Sequence, residues 1–205
     1  MCARYSIDDY EEIMEMREII IEAGERFKNT PELAAMKTGE IFPTNIVPII
    51  TSANENKQVS LMKWGFPRYA GSGVIINARS ETAHEKRMFS SAVESKRCLV
   101  PATGYYEWSH EIEKSEKQKF LIHPKATPML YLAGIYNIFS DKNGNQILCF
   151  VIITADANES VKSIHDRMPY VLTGENKDIW LHDDASAKAI LQEKCDTKLE
   201  LDLVS

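Results

Sequence analysis

The chain has 205 residues, 44% hydrophobic and 26% charged, a balance typical of a globular domain that can bury a core without disulfides or metals. Its formal net charge of -6 excludes a protein that coats nucleic acid through bulk charge, which needs many basic contacts, but it leaves room for a local basic groove. Cys2, Cys98, Cys149 and Cys195 form no CxxC pair and stand at no ligand spacing from a histidine, and the opening MCARYS carries no apolar leader, so a reduced, cytoplasmic protein with no metal, no cofactor and no membrane contact is expected.

In chain order, Ser6 followed by Asp9 predicts a helix start, and a helix over 7–27 with Tyr10, Ile13, Met14, Ile20 and Ile21 on its apolar face. Asn29-Thr30-Pro31 and Gly39 read as loop. Strand-like runs follow at 46–50, 59–64, 74–76, 97–100, 105–108, 119–122, 129–135 and 147–154. Asn143-Gly144 between the last two predicts a hairpin turn, because both residues tolerate positive φ. Short helices are expected at 90–95, 176–181 and 185–193, and the alternation of 199–204 predicts a half-buried strand. There is no repeat, no low-complexity tract and no flexible linker. The order is not a βαβ alternation, so residues 1–205 read as a single α+β domain around a curved, mainly antiparallel sheet or barrel-like core.

The chemistry begins at the second residue. Removal of Met1 would leave Cys2 with a free α-amine and a thiol on neighbouring carbons. Such a pair condenses with an aldehyde to an imine, and the thiol then closes a thiazolidine ring. An internal cysteine cannot do this, because its nitrogen is an amide. An α-amine titrates at about 7.7–8.0 and a lysine at about 10.4, so near neutral pH roughly a tenth of the former is neutral and well under a thousandth of the latter. A thiol near pKa ~8.5 also supplies a useful thiolate fraction.

Polar and aromatic residues gather where apolar strands end, a common place for sites. The groups are Met1-Cys2-Ala3-Arg4-Tyr5, Pro43-Thr44, Trp64-Gly65-Phe66, Asn77-Ala78-Arg79-Ser80-Glu81, Arg97-Cys98-Leu99-Val100-Pro101, Gly104-Tyr105-Tyr106-Glu107-Trp108 and His165-Asp166-Arg167-Met168-Pro169. In this order and spacing they resemble the SOS response-associated peptidase family, and the resemblance spans nearly the whole chain. The one departure is Ala3, where the family usually carries glycine.

The resemblance implies a protein that senses abasic sites in single-stranded DNA and bonds to them through Cys2 in a thiazolidine link. Asn77 would hold the Cys2 amine or thiol. Glu107 would move protons between amine and carbinol or imine, and His165 would protonate the sugar ring oxygen as it opens, a task suited to an imidazole. Arg4 and Arg79 would contact phosphates, with Thr154 as a further phosphate partner. Trp64, Phe66 and Trp108 would stack on bases or line the pocket, and Pro43 would wedge beside the lesion. Arg167 would serve DNA or brace the His165 loop. The oligomeric state is left open, with a monomer as the default. Autoproteolytic trimming of the N-terminus is compatible with this scheme.

Two other readings use the same residues. In one, Cys2 is the nucleophile of an N-terminal-nucleophile hydrolase that cuts peptides or small amides with its own α-amine as base. In the other, the chain is a DNA-binding adaptor with an inert Cys2, which leaves the proton-transfer groups Asn77, Glu107 and His165 without a purpose.

Overall fold

The computed structural model describes residues 2–69, 71–109 and 117–204. Met1 lies outside the described residues. In chain order the elements are β1 (Arg4–Ile7), α1 (Met14–Arg26), α2 (Pro31–Ala34), β2 (Gly39–Ile41), β3 (Ile46–Ala53), β4 (Asn56–Trp64), β5 (Phe66–Pro67), β6 (Val74–Ile75), β7 (Asn77–Arg79) and α3 (Ser90–Ser95). Then come β8 (Arg97–Ala102), β9 (Gly104–Trp108), β10 (Lys119–Pro124), β11 (Leu130–Ser140), β12 (Gln146–Asp156), β13 (Arg167–Pro169), β14 (Val171–Leu172), α4 (Asn176–His182), α5 (Asp184–Ile190) and β15 (Leu199–Val204).

Five strands close on themselves in the order β12-β4-β3-β8-β11, because β11 also pairs with β12. This ring is antiparallel except at one short parallel seam, where Cys149 faces Lys63 and Phe150 faces Trp64. A second, wholly antiparallel sheet runs β15-β10-β9-β1-β2. The fold is α+β around a barrel-like, mainly antiparallel core, as the order of the apolar runs predicts.

The chain passes from the ring to the second sheet through Thr103. Its backbone N–H donates to Ser6 O at 2.8 Å, and its hydroxyl lies 2.8 Å from Ser6 Oγ and 2.6 Å from Asp8 Oδ2. The predicted helix start is therefore corrected. Ser6 is fully buried as a strand residue bonded across the corner, and the helix begins at Met14. The phase of its apolar face also differs. Tyr10, Met14 and Ile21 are exposed, while Met16, Ile19 and Ala23 pack against β3 and β4. An i, i+3, i+7 stripe buries one face, and burial of each large apolar side chain is worth about 1.5–3 kcal/mol.

The hairpin at 141–145 joins β11 to β12, with Gly144 at φ +85° and the Asp141 carboxylate accepting from the Asn143 and Asn145 N–H groups at 2.8 Å each. Trp180 on α4 is fully buried, its Nε1–H donating to Cys98 O at 3.0 Å. Among the described residues no helix is long and apolar enough to cross a membrane.

Candidate active site and nucleic-acid surface

β1 and β9 lie side by side with Tyr5 opposite Tyr105 and Arg4 opposite Tyr106. Alternation along a strand then sorts the side chains onto two faces. Tyr5, Tyr105 and Glu107 point into the protein, and all three are buried. Arg4, Tyr106 and Trp108 point outward and are partly exposed.

Cys2 sits just before β1 and is completely buried. Its Sγ–H points at Arg4 O, 3.6 Å away. The Asn77 Nδ2–H donates to Cys2 O at 2.8 Å. Burial pushes the Cys2 thiol up, and the nearby Glu107 carboxylate pushes it further in the same direction. The thiol is thus held as SH beside a group able to accept its proton. Burial also raises the Tyr5 and Tyr105 phenols, with Cys2 adding to both. The Tyr5 and Tyr105 hydroxyls and Asn77 Oδ1 have no hydrogen-bond partner among the described residues. Such orphaned buried polar atoms are uncommon and costly, and here they gather around one cysteine.

Asn77 owes its place to β7, which pairs parallel with β12 so that Asn77 faces Ile152 and Arg79 faces Thr154. Asn77, Arg79, Lys86 and Thr154 line a cavity of about 290 Å³. Arg79 is exposed at its mouth. Thr154 is fully buried, and its hydroxyl lacks a hydrogen-bond partner among the described residues.

His165 lies in the loop between β12 and β13 with its side chain only 13% exposed. Its Nδ1 accepts the Arg167 N–H at 2.9 Å and also lies 2.7 Å from Asp166 Oδ1. The first contact requires a bare Nδ1 and the second favours a protonated one, so Asp166 becomes the partner when the ring is charged.

Arg167 is buried and braced. Its guanidinium donates to both Glu81 oxygens, to Asp156 and, at 2.7 Å, to Thr154 O. The guanidinium thus ties β13 to the end of β12 and to Glu81, while the Arg167 backbone N–H holds His165. Arg4 is stacked between Phe42 and Trp108, its guanidinium carbon 4.6 and 4.9 Å from the ring centroids. Pro43, partly exposed, follows Phe42 in the β2–β3 loop.

Of the two roles expected for Trp64 and Phe66, stacking on bases and lining the pocket, the first is corrected. Both are fully buried. Trp64 packs edge-on against Tyr5 at 5.1 Å and stacks on Phe150, with its Nε1–H donating to Ile76 O at 3.1 Å. Phe66 packs on Phe89 and Phe139. Neither offers an exposed face.

Tyr5 and Tyr105 stand within the motifs but take no role in the sequence reading, and Lys86, Glu40 and Lys119 lie outside the motifs altogether. The i, i+2 spacing of Tyr105 and Glu107 carried a signal for one of them, since both must share a strand face. The others depend on pairings between distant strands.

The family described as SOS response associated peptidase (SRAP) matches residues 1–205. The abasic site processing protein YoqW of Bacillus subtilis (strain 168) is 32% identical over 188 residues, covering 89% of this chain and 80% of that protein. The abasic site processing protein YedK of Escherichia coli (strain K12) is 31% identical over 149 residues, 72% of this chain and 66% of that one. An X-ray structure of a Bacteroides thetaiotaomicron protein superposes with a TM-score of 0.78 at 28% identity, covering 100% of this chain and 92% of the other. With its barrel, its buried Cys2 and its motifs all within the matched span, the chain belongs to the SOS response associated peptidase family.

Proposed function

We propose that this protein processes abasic sites in single-stranded DNA by bonding to them through Cys2 once Met1 is removed. The observation that carries the reading is the hydrogen bond from Asn77 to Cys2 at 2.8 Å, beside the Glu107 carboxylate. The names of the relatives, abasic site processing proteins, supply the substrate class.

The neutral α-amine of Cys2 adds to the aldehyde carbon of the ring-opened sugar. Glu107 gives a proton to the carbinolamine hydroxyl, which leaves as water and gives an iminium ion. The Cys2 sulfur then adds to the same carbon and its proton passes to Glu107. The product is a five-membered thiazolidine, and one water is released overall. Asn77 Oδ1, buried and lacking a hydrogen-bond partner among the described residues, is the acceptor for an N–H of the freed amine. His165 protonates the sugar ring oxygen as it opens, and its own loop is held by Arg167. Arg4 and Arg79 contact phosphates on the two sides of Cys2, with Thr154 beside Arg79. Trp108 stacks on a base, and Pro43 sits beside the lesion as a wedge. It acts in the cytoplasm as a single domain.

Mixing the protein with an abasic single-stranded oligonucleotide should give a species that survives a denaturing gel. Its mass should equal protein without Met1, plus DNA, less one water. Cys2→Ala should give none while keeping weak, salt-sensitive DNA binding. A cross-link that persists in Cys2→Ala, or its absence with a Met1-free protein, overturns the proposal.

A further inference from the structure

On the outward face of β1, β9, β10 and β2, Lys119 and Glu40, which the cross-linking scheme leaves unused, meet Arg4. Lys119 on β10 lies opposite Trp108, next to Arg4 on β1. One carboxylate oxygen serves both cations. Glu40 Oε1 accepts from Arg4 Nη1 at 3.1 Å and from Lys119 Nζ at 2.9 Å. Aromatic rings hold the cations from the other sides. Arg4 lies between Phe42 and Trp108, and Lys119 Nζ is 4.1 Å from the Tyr106 ring centroid. All three charged side chains remain within reach of solvent, at 36%, 30% and 23% exposure for Arg4, Glu40 and Lys119.

Two cations converging on a single oxygen, framed by ring faces, is the geometry that binds a nucleic-acid phosphate flanked by stacked bases. Guanidinium and ammonium make the same charge-assisted hydrogen bonds to a phosphate oxygen as to a carboxylate oxygen. Partial burial works to raise the Glu40 carboxyl, but hydrogen bonds from Lys119 and Arg4 outweigh it and hold the group below its ordinary value, so it stays charged at neutral pH.

Resting on the reading of this protein as a single-stranded DNA binder, we infer that Arg4 and Lys119 form one phosphate subsite and that Glu40 occupies it in the free protein. A DNA phosphate binds there by displacing Glu40. The displacement weakens attachment to undamaged strands, so that lasting attachment depends on the covalent step at Cys2. Glu40 acts in this sense as a built-in competitor for the phosphate subsite. It lowers affinity for any phosphate chain and leaves the reacting atoms untouched.

The test is fluorescence anisotropy with an undamaged oligothymidine, which has no aldehyde and so is blind to Cys2 chemistry. Glu40→Gln keeps shape and hydrogen-bonding capacity but removes the charge. It should bind about 3- to 10-fold more tightly at low salt, with a log–log salt slope steeper by about 0.7, the value for one added phosphate contact on a single strand. Lys119→Gln should bind more weakly than wild type, and the double variant should lose most of the gain. Glu40→Asp, too short to reach both cations, should fall between wild type and Glu40→Gln. Unchanged or weaker binding by Glu40→Gln overturns the inference, as does a gain that survives Lys119→Gln. If wild type still cross-links abasic DNA while Glu40→Gln binds no tighter, only the Glu40 assignment fails. If Glu40→Gln gains affinity but no cross-link forms, the subsite stands and the covalent reading falls.

Discussion

The side-chain amide of Asn77 donates to the carbonyl oxygen of Cys2 at 2.8 Å across 75 positions of sequence. Through this contact the parallel pairing of β7 with β12 holds the start of the chain in place. Removing the donor in Asn77→Ala should cost about 1 kcal/mol of positioning, or roughly five- to ten-fold in the rate of adduct formation with abasic DNA. Asn77→Asp sets a carboxylate against a carbonyl and should be slower still. Single-turnover gel assays measure both, with circular dichroism to establish that the variants fold. A rate equal to wild type in Asn77→Ala would remove Asn77 from the site.

The Glu81–Arg167 pair gives a pH dependence with a definite sign. The hydrogen bond from Arg167 holds the Glu81 carboxyl down at about 2, against an ordinary value of 4.5. A group depressed on folding stabilises the protein above its unfolded pKa, and the contribution is lost as pH falls through the folded value. Wild type should therefore melt above Glu81→Gln at neutral pH, and the gap should close between about pH 4.5 and about pH 2. Because the Glu81 side chain is 46% exposed, solvent screening keeps the effect modest. Melting curves recorded across that range for the two proteins test it; a gap that widens toward acid contradicts it.

Arg97 opens one of the family motifs but serves the scaffold. Buried at 5% exposure, it donates to the carbonyl of Trp180, to Val93 O at 3.1 Å, to Glu94 O and to the Asp184 carboxylate. One planar fork thus ties together the end of α3, α4 and the start of α5. Arg97→Ala should destabilise the protein by about 1–3 kcal/mol, mainly through the carbonyls left unpaired. Arg97→Lys should recover only part of this, since an ammonium cannot span those acceptors. Urea denaturation reads both values, and intact cross-linking by the folded fraction would separate this role from catalysis.

Gly65 belongs to the Trp64-Gly65-Phe66 motif for a steric reason. It sits at φ +111°, and a Cβ there would lie 2.7 Å from Val74 Cγ2. Its N–H donates to Phe150 O at 2.7 Å, extending the parallel seam that closes the barrel. Gly65→Ala should cost about 1–3 kcal/mol through backbone strain and overpacking together. Paired with Val74→Ala, part of that cost should be recovered; a thermal shift assay on the single and double variants decides it.

The pattern of apolar runs was enough to find the barrel strands. The runs at 46–50, 59–64, 97–100 and 147–154 all lie within β3, β4, β8 and β12. It failed at β1, where Ser6 and Asp9 look like a helix start although Ser6 is locked to Thr103 across the corner. It also missed β2, β7 and β13, which are three residues long and exist only because a longer strand lies alongside.

Sequence alone marked out the proposed nucleophile, since only a second-position cysteine can become an aminothiol, and it determined the family, since the motifs stand in order along the chain. It could not tell Trp64 and Phe66, which fill the core, from Trp108, which lies on the surface, because aromatic rings serve both places equally well. Nor could it bring Glu40 to Arg4 and Lys119, or Glu81 to Arg167. Those pairs span 36, 79 and 86 positions, and charge attraction acts over a few ångströms, so strand register alone decides which charges meet.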